Sequence, residues 1–421
     1  MRTPLEPWRK NLYIMWLSQF IAMMGMSLVV PFLPFFIRDL GVQSTDDVAR
    51  WSGLVFAGPF FISFFSTPVW GYLGDKYGRK AMTVRAIFGL GISQLFVGFS
   101  QSVEMLFLFR MLQGGISGFL AASLALVSAN TPREKSGYAV GILQTATSGG
   151  HVFGPLVGGS LADAFGFRPI FFIVAGLCMV AGILIMRFVR EETKPNPEQS
   201  DALSFLGNYT YALRSKPIRI ALALMVVSQA SVFMVQPIFA LYIEQLIPST
   251  EYLATMTGAM FSIAGVFTVL AAPWWGKRND AKSYKKNLTI TLTGASLAYA
   301  AQGFATSPYH VMALRAMLGF CLGGMLPALY SYISKNASLE RRGGIMGIAS
   351  SGNILANIIG PPTGGYIGSH LGLREVFFVT GGLLLVAVVF LRHAFVDMRG
   401  SHSPDEELVA ETHTTAESSA E

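Results

Sequence analysis

From Asn11 to Ile37 the chain carries no Lys, Arg, Asp or Glu, and the same holds for 51–74, 136–162, 220–243, 252–276 and 343–373. A helix needs about 20 apolar residues to cross a hydrocarbon core of roughly 30 Å, so each run is long enough for one crossing. Taken with the Gly, Pro and charge breakers between them, the runs predict helices near 12–37, 51–73, 81–100, 104–130, 137–161 and 169–190. A second set is predicted near 218–243, 252–275, 286–306, 308–335, 343–368 and 375–395. Connections such as Ser100-Gln101-Ser102 and Thr306-Ser307-Pro308 are short, which makes sequential helices antiparallel neighbours. The expected fold class is an all-α membrane protein with twelve transmembrane helices in two pseudo-symmetric six-helix bundles.

Composition agrees with this pattern. Of 421 residues 52% are hydrophobic and 13% charged, with a mean hydropathy of +0.49, against roughly 25% charged residues in soluble domains. The first apolar run is too long for a signal-peptide core and has no small-residue cleavage site after it, so it is expected to stay as the first span. Cys178 and Cys321 lie inside apolar segments, which suggests neither a disulfide framework nor a thiolate metal site.

Charge adds direction. The net +7 divides into −6 over residues 397–421 and +13 over the rest. The Ser, Thr, Glu and Ala of that acidic tail cannot bury enough surface to fold, so 397–421 is expected to be disordered. Of the 31 basic residues, 25 fall in segments on the side of the two termini, whereas only Arg38, Arg50, Arg168 and Arg374 lie in the opposite loops and Arg110 and Arg315 fall inside helices. The positive-inside rule then puts both termini in the cytoplasm. Basic residues placed between spans meet lipid headgroups rather than nucleic acid.

The two halves repeat each other. An offset of 205 pairs Gly53 with Gly258, Phe56 with Phe261, Pro68 with Pro273, Trp70 with Trp275, Gly71 with Gly276 and Arg110 with Arg315. One residue more pairs "GPLVGG" (154–159) with "GPPTGG" (360–365). The expected organisation is an N-terminal bundle at 1–190, a cytoplasmic linker at 191–217, a C-terminal bundle at 218–396 and the tail. Two parallel halves of this kind fit a rocking transporter whose site lies at their interface.

Three segments carry a resemblance. "GYLGDKYGRK" (71–80), with Gly71, Asp75, Gly78, Arg79 and Lys80, resembles the signature between helices 2 and 3 of the major facilitator superfamily. Arg110, Gln113 and Gly114 are similar to its fourth-helix motif. "GGHVFGPLVGG" (149–159) resembles its fifth-helix antiporter motif. The resemblance is to the twelve-helix drug:proton antiporters. It implies a non-enzymatic exporter in the bacterial inner membrane that exchanges lipophilic or amphipathic small molecules for protons, with Arg110 and Gln113 in the coupling. A monomer is expected, surrounded by lipid, with no cofactor and no metal. The departures are Thr83, where the first motif usually ends apolar, and Ser283 and Tyr284 in its second copy.

The residues themselves suggest how such motifs work. A phosphate-binding glycine loop should follow a soluble strand, whereas 71–80 joins two membrane spans. Asp75 adds nothing to a positive-inside signal, so it is expected to meet the N-terminus of the helix near Gly343 and Gly344, with Arg79 holding it. Arg110 either snorkels to headgroups or acts inside the membrane. Gly150, Gly154 and Gly158 form a small-residue stripe for close packing, followed by Gly159, and Pro155 permits a bend. His151 is the titratable group deep in a span, as a proton carrier or as a neutral core histidine; Asp39, Asp75 and Glu104 are the alternatives. For substrate, the expected contacts are Gln19, Met23, Phe56, Phe60, Gln144, Gln229, Phe233, Gln236, Phe261, Asn353 and Asn357, because aromatic and Met surfaces adapt to bulky ligands and buried amides need partners. An exporter of one metabolite or lipid-linked compound, an uncoupled uniporter, and a sensor signalling through its tail are the competing readings.

Overall fold

A computed structural model describes residues 6–116, 118–191, 205–247, 251–281, 283–338 and 340–394. These residues form helix throughout, joined by short turns. The N-terminal half contains α1 (Pro7–Val29), α2 (Leu33–Asp39), α3 (Thr45–Tyr77), α4 (Arg79–Gly98), α5 (Val103–Ile116), α6 (Phe119–Ala129), α7 (Ser136–Phe165) and α8 (Phe167–Phe188). After α9 (Phe205–Arg214) the C-terminal half contains α10 (Lys216–Val235), α11 (Phe239–Leu246), α12 (Leu253–Ala281), α13 (Tyr284–Gly303), α14 (Pro308–Asn336), α15 (Arg342–His370) and α16 (Leu373–Ala394).

Three of the twelve spans are broken helices. A short 3-10 turn, Val30–Phe32, separates α1 from α2, because Pro31 has no N–H for the helical ladder. Its counterpart 206 residues on, Pro237, falls between α10 and α11. Gly118, at φ +113°, interrupts the fourth span between α5 and α6. Gly78, at φ +99°, lets α3 reverse into α4 through a single residue, a conformation open to glycine at little cost.

Nine spans among the described residues are apolar and long enough to cross a membrane on those grounds alone. The other three, α7, α13 and α15, are diluted by Gly, Ser and Thr. Such small residues suit helices that pack against other helices rather than lipid.

The repeat is visible contact by contact. Trp70 Nε1 donates to the Gly115 carbonyl at 2.7 Å, and its counterpart Trp275 Nε1 donates to the Phe320 carbonyl at 2.8 Å. Ser63 and its counterpart Thr268 donate to the carbonyls of Gly114 and Gly319 at 3.0 and 3.1 Å. In the two cores, the Phe36 and Phe171 rings lie 4.8 Å apart and the equivalent Tyr242 and Phe377 rings 4.5 Å apart. The halves meet along two equivalent seams, α3 on α15 and α7 on α12.

Two features differ from the pattern of apolar runs. The segment read as a plain linker contains the helix α9, whose Ala212 is buried and whose Asn208 side chain lies against Gly344. The predicted helix starts are also several residues late, since α1 begins at Pro7 and α3 at Thr45. In both, polar residues of the first turn belong to the helix, so charge-free length underestimates it.

Candidate functional site

The seams between the halves are closed at one end and parted at the other. The end that carries the loops after α2, α7, α11 and α15 is here named the loop end; the opposite one, where α1 begins and α16 finishes, is the terminal end. At the loop end glycines bring backbones together. A methyl group added at Gly159 would overlap the Ala254 carbonyl, and one at the equivalent Gly365 would overlap the Ala49 carbonyl. Gly258 lies in the same way on the Pro155 carbonyl, and its counterpart Gly53 on the Pro361 carbonyl, 2.6 Å from an added carbon. No other residue allows this approach.

Polar contacts between the halves among the described residues gather at the same end. The Asp163 carboxylate accepts from the Ala254 and Thr255 amides at 3.2 and 2.7 Å, capping the start of α12. Arg50 donates through Nε to Ser369 Oγ at 3.1 Å, and its Nη2 lies 3.2 Å from His370 Nε2. Arg38 meets Glu244 at 2.5 Å. At the terminal end the same helices stand clear of one another. Gly71 and its counterpart Gly276, Gly137 and Gly343, and Gly141 and Gly347 have nothing within 4 Å of an added carbon.

The fifth-helix motif packs in two directions at once, on α1 within its own half and on α12 across the seam. Gly150, Gly154 and Gly158 pack on α1, against Met23 and Met24, against Ser27, and against Leu28 respectively. Gly159 and Pro155 face α12. His151 lies between these surfaces, exposed, and shares a 2.7 Å hydrogen bond with Ser27 through Nδ1. A hydroxyl can donate to a bare ring nitrogen or accept from a protonated one, so the bond survives either state of the imidazole.

The fourth-helix motif closes on itself. Arg110 is 6% exposed; its Nη1 donates to Gln113 Oε1 at 2.8 Å and its Nε to the Val55 carbonyl at 3.4 Å. It therefore does not snorkel to a surface. Its counterpart Arg315, equally buried, stacks on Phe239 at 3.6 Å and Phe261 at 5.2 Å, while its Nε and Nη2 have no partner. Leu318 stands where Gln113 would be repeated.

In the first motif, Gly78 makes the turn and Arg79 Nη1 donates to the Ala125 carbonyl at 3.3 Å. The Glu191 carboxylate accepts from the backbone amides of Arg79 and Lys80 at 2.8 and 3.1 Å, capping α4. The Asp75 side chain lies outside the described residues. At the far partner of the expected contact, Gly344 is covered by Asn208 and Gly343 by nothing.

The proposed substrate contacts separate into two groups. Gln19, Met23, Phe56 and Gln229 are buried; Gln19 is bonded to Thr147 and Ser123, and Met23 lies against Gly150. In this conformation they cannot touch a ligand between the halves. Gln144 is exposed, and Phe60, Phe233, Gln236, Phe261, Asn353 and Asn357 are partly exposed. Asn357 donates to the Asn353 carbonyl at 3.0 Å, and Asn353 Oδ1 has no partner.

Charge counting missed Glu244, Asp163 and Glu191, because each stands at a helix end, where acids are unremarkable. For Glu244 a signal was present: it is 206 residues from an arginine, the offset that aligns the halves.

Two six-helix halves sharing a two-fold seam, sealed at one end and parted at the other, define a secondary transporter. The chain belongs to the Major Facilitator Superfamily, whose model matches residues 15–246 and 223–417. It is 34% identical over 388 residues to the multidrug resistance protein MdtG of Citrobacter koseri, covering 91% of this chain and 94% of that one. With the multidrug resistance protein MdtG of a Rahnella species it shares 32% identity over 378 residues, 90% and 92% of the two chains. A bacterial homologue of the human lysosomal transporter Spinster, solved inward-facing and occupied, superposes with a TM-score of 0.74 at 16% identity over 93% of this chain and 97% of that one. A D-xylose-proton symporter gives 0.72 at 17% identity over 93% and 98%. The last two likenesses speak for the fold alone.

Proposed function

We propose that the protein exports lipophilic or amphipathic drugs in exchange for protons, from the bacterial inner membrane and with both termini in the cytoplasm. The multidrug resistance relatives support the substrate class, and the excess of Lys and Arg on the terminal side supports the orientation. The parted terminal end then opens to the cytoplasm, where drug would enter.

His151 carries the coupling. It is a titratable group inside a span, exposed beneath the loop-end seal and bonded to a hydroxyl that tolerates both protonation states. Imidazole is the side chain that most readily gains and loses a proton near neutral pH. Arg110 and Gln113 form one buried unit on α5, which supports a place for them in the coupling. Drug would lie between the halves on Phe60, Phe233 and Phe261, with Gln144, Gln236, Asn357 and the unpartnered Asn353 Oδ1 supplying polar contacts. The transporter works as a monomer in contact with lipid.

Proteoliposomes with an imposed pH gradient test this reading. Efflux of a fluorescent lipophilic dye should follow the gradient in the natural protein. In His151→Gln dye binding should persist while gradient dependence disappears. Gradient-independent flux in the natural protein would instead mean a uniporter. A His151→Gln variant that still responds would move the coupling to Asp39, Asp75 or Glu104.

A further inference from the structure

The ion pair between Arg38 and Glu244 occupies a special place. Arg38 Nη1 reaches both carboxylate oxygens, at 2.5 and 2.6 Å, and the two side chains are 27% and 29% exposed. Their numbers differ by 206, the offset that superposes the fifth-helix segments of the two halves. In a two-fold interface a residue touches its own equivalent only on the axis itself. The neighbouring contacts confirm the placement: Asp163 with Thr255 and Ser369 with Arg50 are one contact and its symmetry copy. The seal is therefore built as a symmetric rim around a single asymmetric pair.

Identical residues at the two axial positions would put like charges face to face, so the duplicated chain needs opposite charges there. The carriers are also suited to movement. Arg38 lies on α2 and Glu244 on α11, the short segments beyond the breaks at Pro31 and Pro237. Rocking that opens the loop end separates these two tips, whereas opening the terminal end leaves them together.

We infer that Arg38 and Glu244 form the bolt of the loop-end gate and set how often that end opens. The inference rests on the rocking of the two halves and is independent of the solute and of proton coupling. Because the partners exchange places under the two-fold, Arg38→Glu combined with Glu244→Arg rebuilds the same pair, mirrored. An ordinary structural salt bridge, set among unrelated neighbours, has no such symmetry to restore it.

The full-length protein in lipid nanodiscs, spin-labelled at Gln43 and Leu371 with the two native cysteines replaced, reports the loop-end distance without any substrate. Arg38→Gln and Glu244→Gln should each raise the open population about tenfold, within the usual range of conformational coupling. The exchanged double variant should return to within about twofold of the natural protein, whereas Arg38→Gln with Glu244→Gln should stay open. Should a single variant fail to fold, the exchanged and doubly neutral variants decide alone: closed against open supports the bolt. Equal populations in those two, or single variants that leave the distance distribution unchanged, would overturn it.

Discussion

The two ends of the interface use the same residue in opposite ways. At the loop end Gly53, Gly258, Gly159 and Gly365 lie against backbone carbonyls of the other half; at the terminal end Gly71, Gly276, Gly137, Gly343, Gly141 and Gly347 face open space on the same four helices. Both sets obey the two-fold. Glycine in a helix costs about 0.5–1 kcal/mol relative to alanine, so glycines with no neighbour represent stability given up in this state. Helices closing at the terminal end would need glycine at these same positions to approach as closely as they do at the loop end, which accounts for keeping them.

The largest effect should come from filling the closed set. Gly258→Leu or Gly159→Leu forces a side chain into a carbonyl, where even single methylenes cost about 1–3 kcal/mol when overpacked. Dye efflux should fall at least about tenfold, and loop-end residues should become accessible to thiol reagents in cysteine variants. Next come Gly137→Leu and Gly141→Leu. An added carbon meets nothing there in the present state and a helical glycine is lost, so thermal unfolding should shift slightly upward, by about 0.5–1 kcal/mol. Efflux should nevertheless fall several-fold, with loop-end accessibility decreased rather than increased. If both sets shifted accessibility in one direction, the comparison would fail.

A third test sets one half against the other. Removing Arg110 strips Gln113 and the Val55 carbonyl of their donor, so Arg110→Gln should destabilise the purified protein by about 1–3 kcal/mol. Arg315→Gln removes a buried charge whose Nε and Nη2 have no partner and should cost much less in the same unfolding assay. The smallest effect is expected from Asp75→Asn. If its carboxylate meets the start of α15 when the terminal end is shut, losing that contact should shift the balance toward the parted state by about 1 kcal/mol. Labels across the terminal end would register it.

Much of this architecture is legible in the chain. Charge-free runs together with the Gly, Pro and charge breakers between them yield the twelve spans, and the offset yields the two-fold that the Trp70 and Trp275 contacts obey. The fifth-helix glycines were legible too, because a close approach demands glycine whatever its neighbour. What stays hidden is whatever depends on the partner. Arg38 and Arg50 register in a charge count only as exceptions on the sparsely charged side, and the 206-residue offset from Arg38 to Glu244 becomes a contact only once the two-fold axis is placed between α2 and α11. The breaks at Pro31 and Pro237 are hidden because proline is tolerated within many spans, here at Pro59, Pro68 and Pro155. Helix α9 escapes because, at 10 residues, it is too short to register as a span and is held by packing on α10 and α15. Gln19, Phe56 and Gln229 have the chemistry of ligand contacts, and their burial in this state is a matter of packing that the chain does not show.

Alternation between the two ends is the central claim, and a paired distance measurement tests it most directly. Spin labels at Gln43 and Leu371 span the loop end, and labels at Tyr77 and Glu340 span the terminal end, in the same lipid environment. On addition of a transported dye or a change of pH, the loop-end distance should lengthen while the terminal-end distance shortens. Two distances that stay fixed, or that lengthen together, would contradict the account.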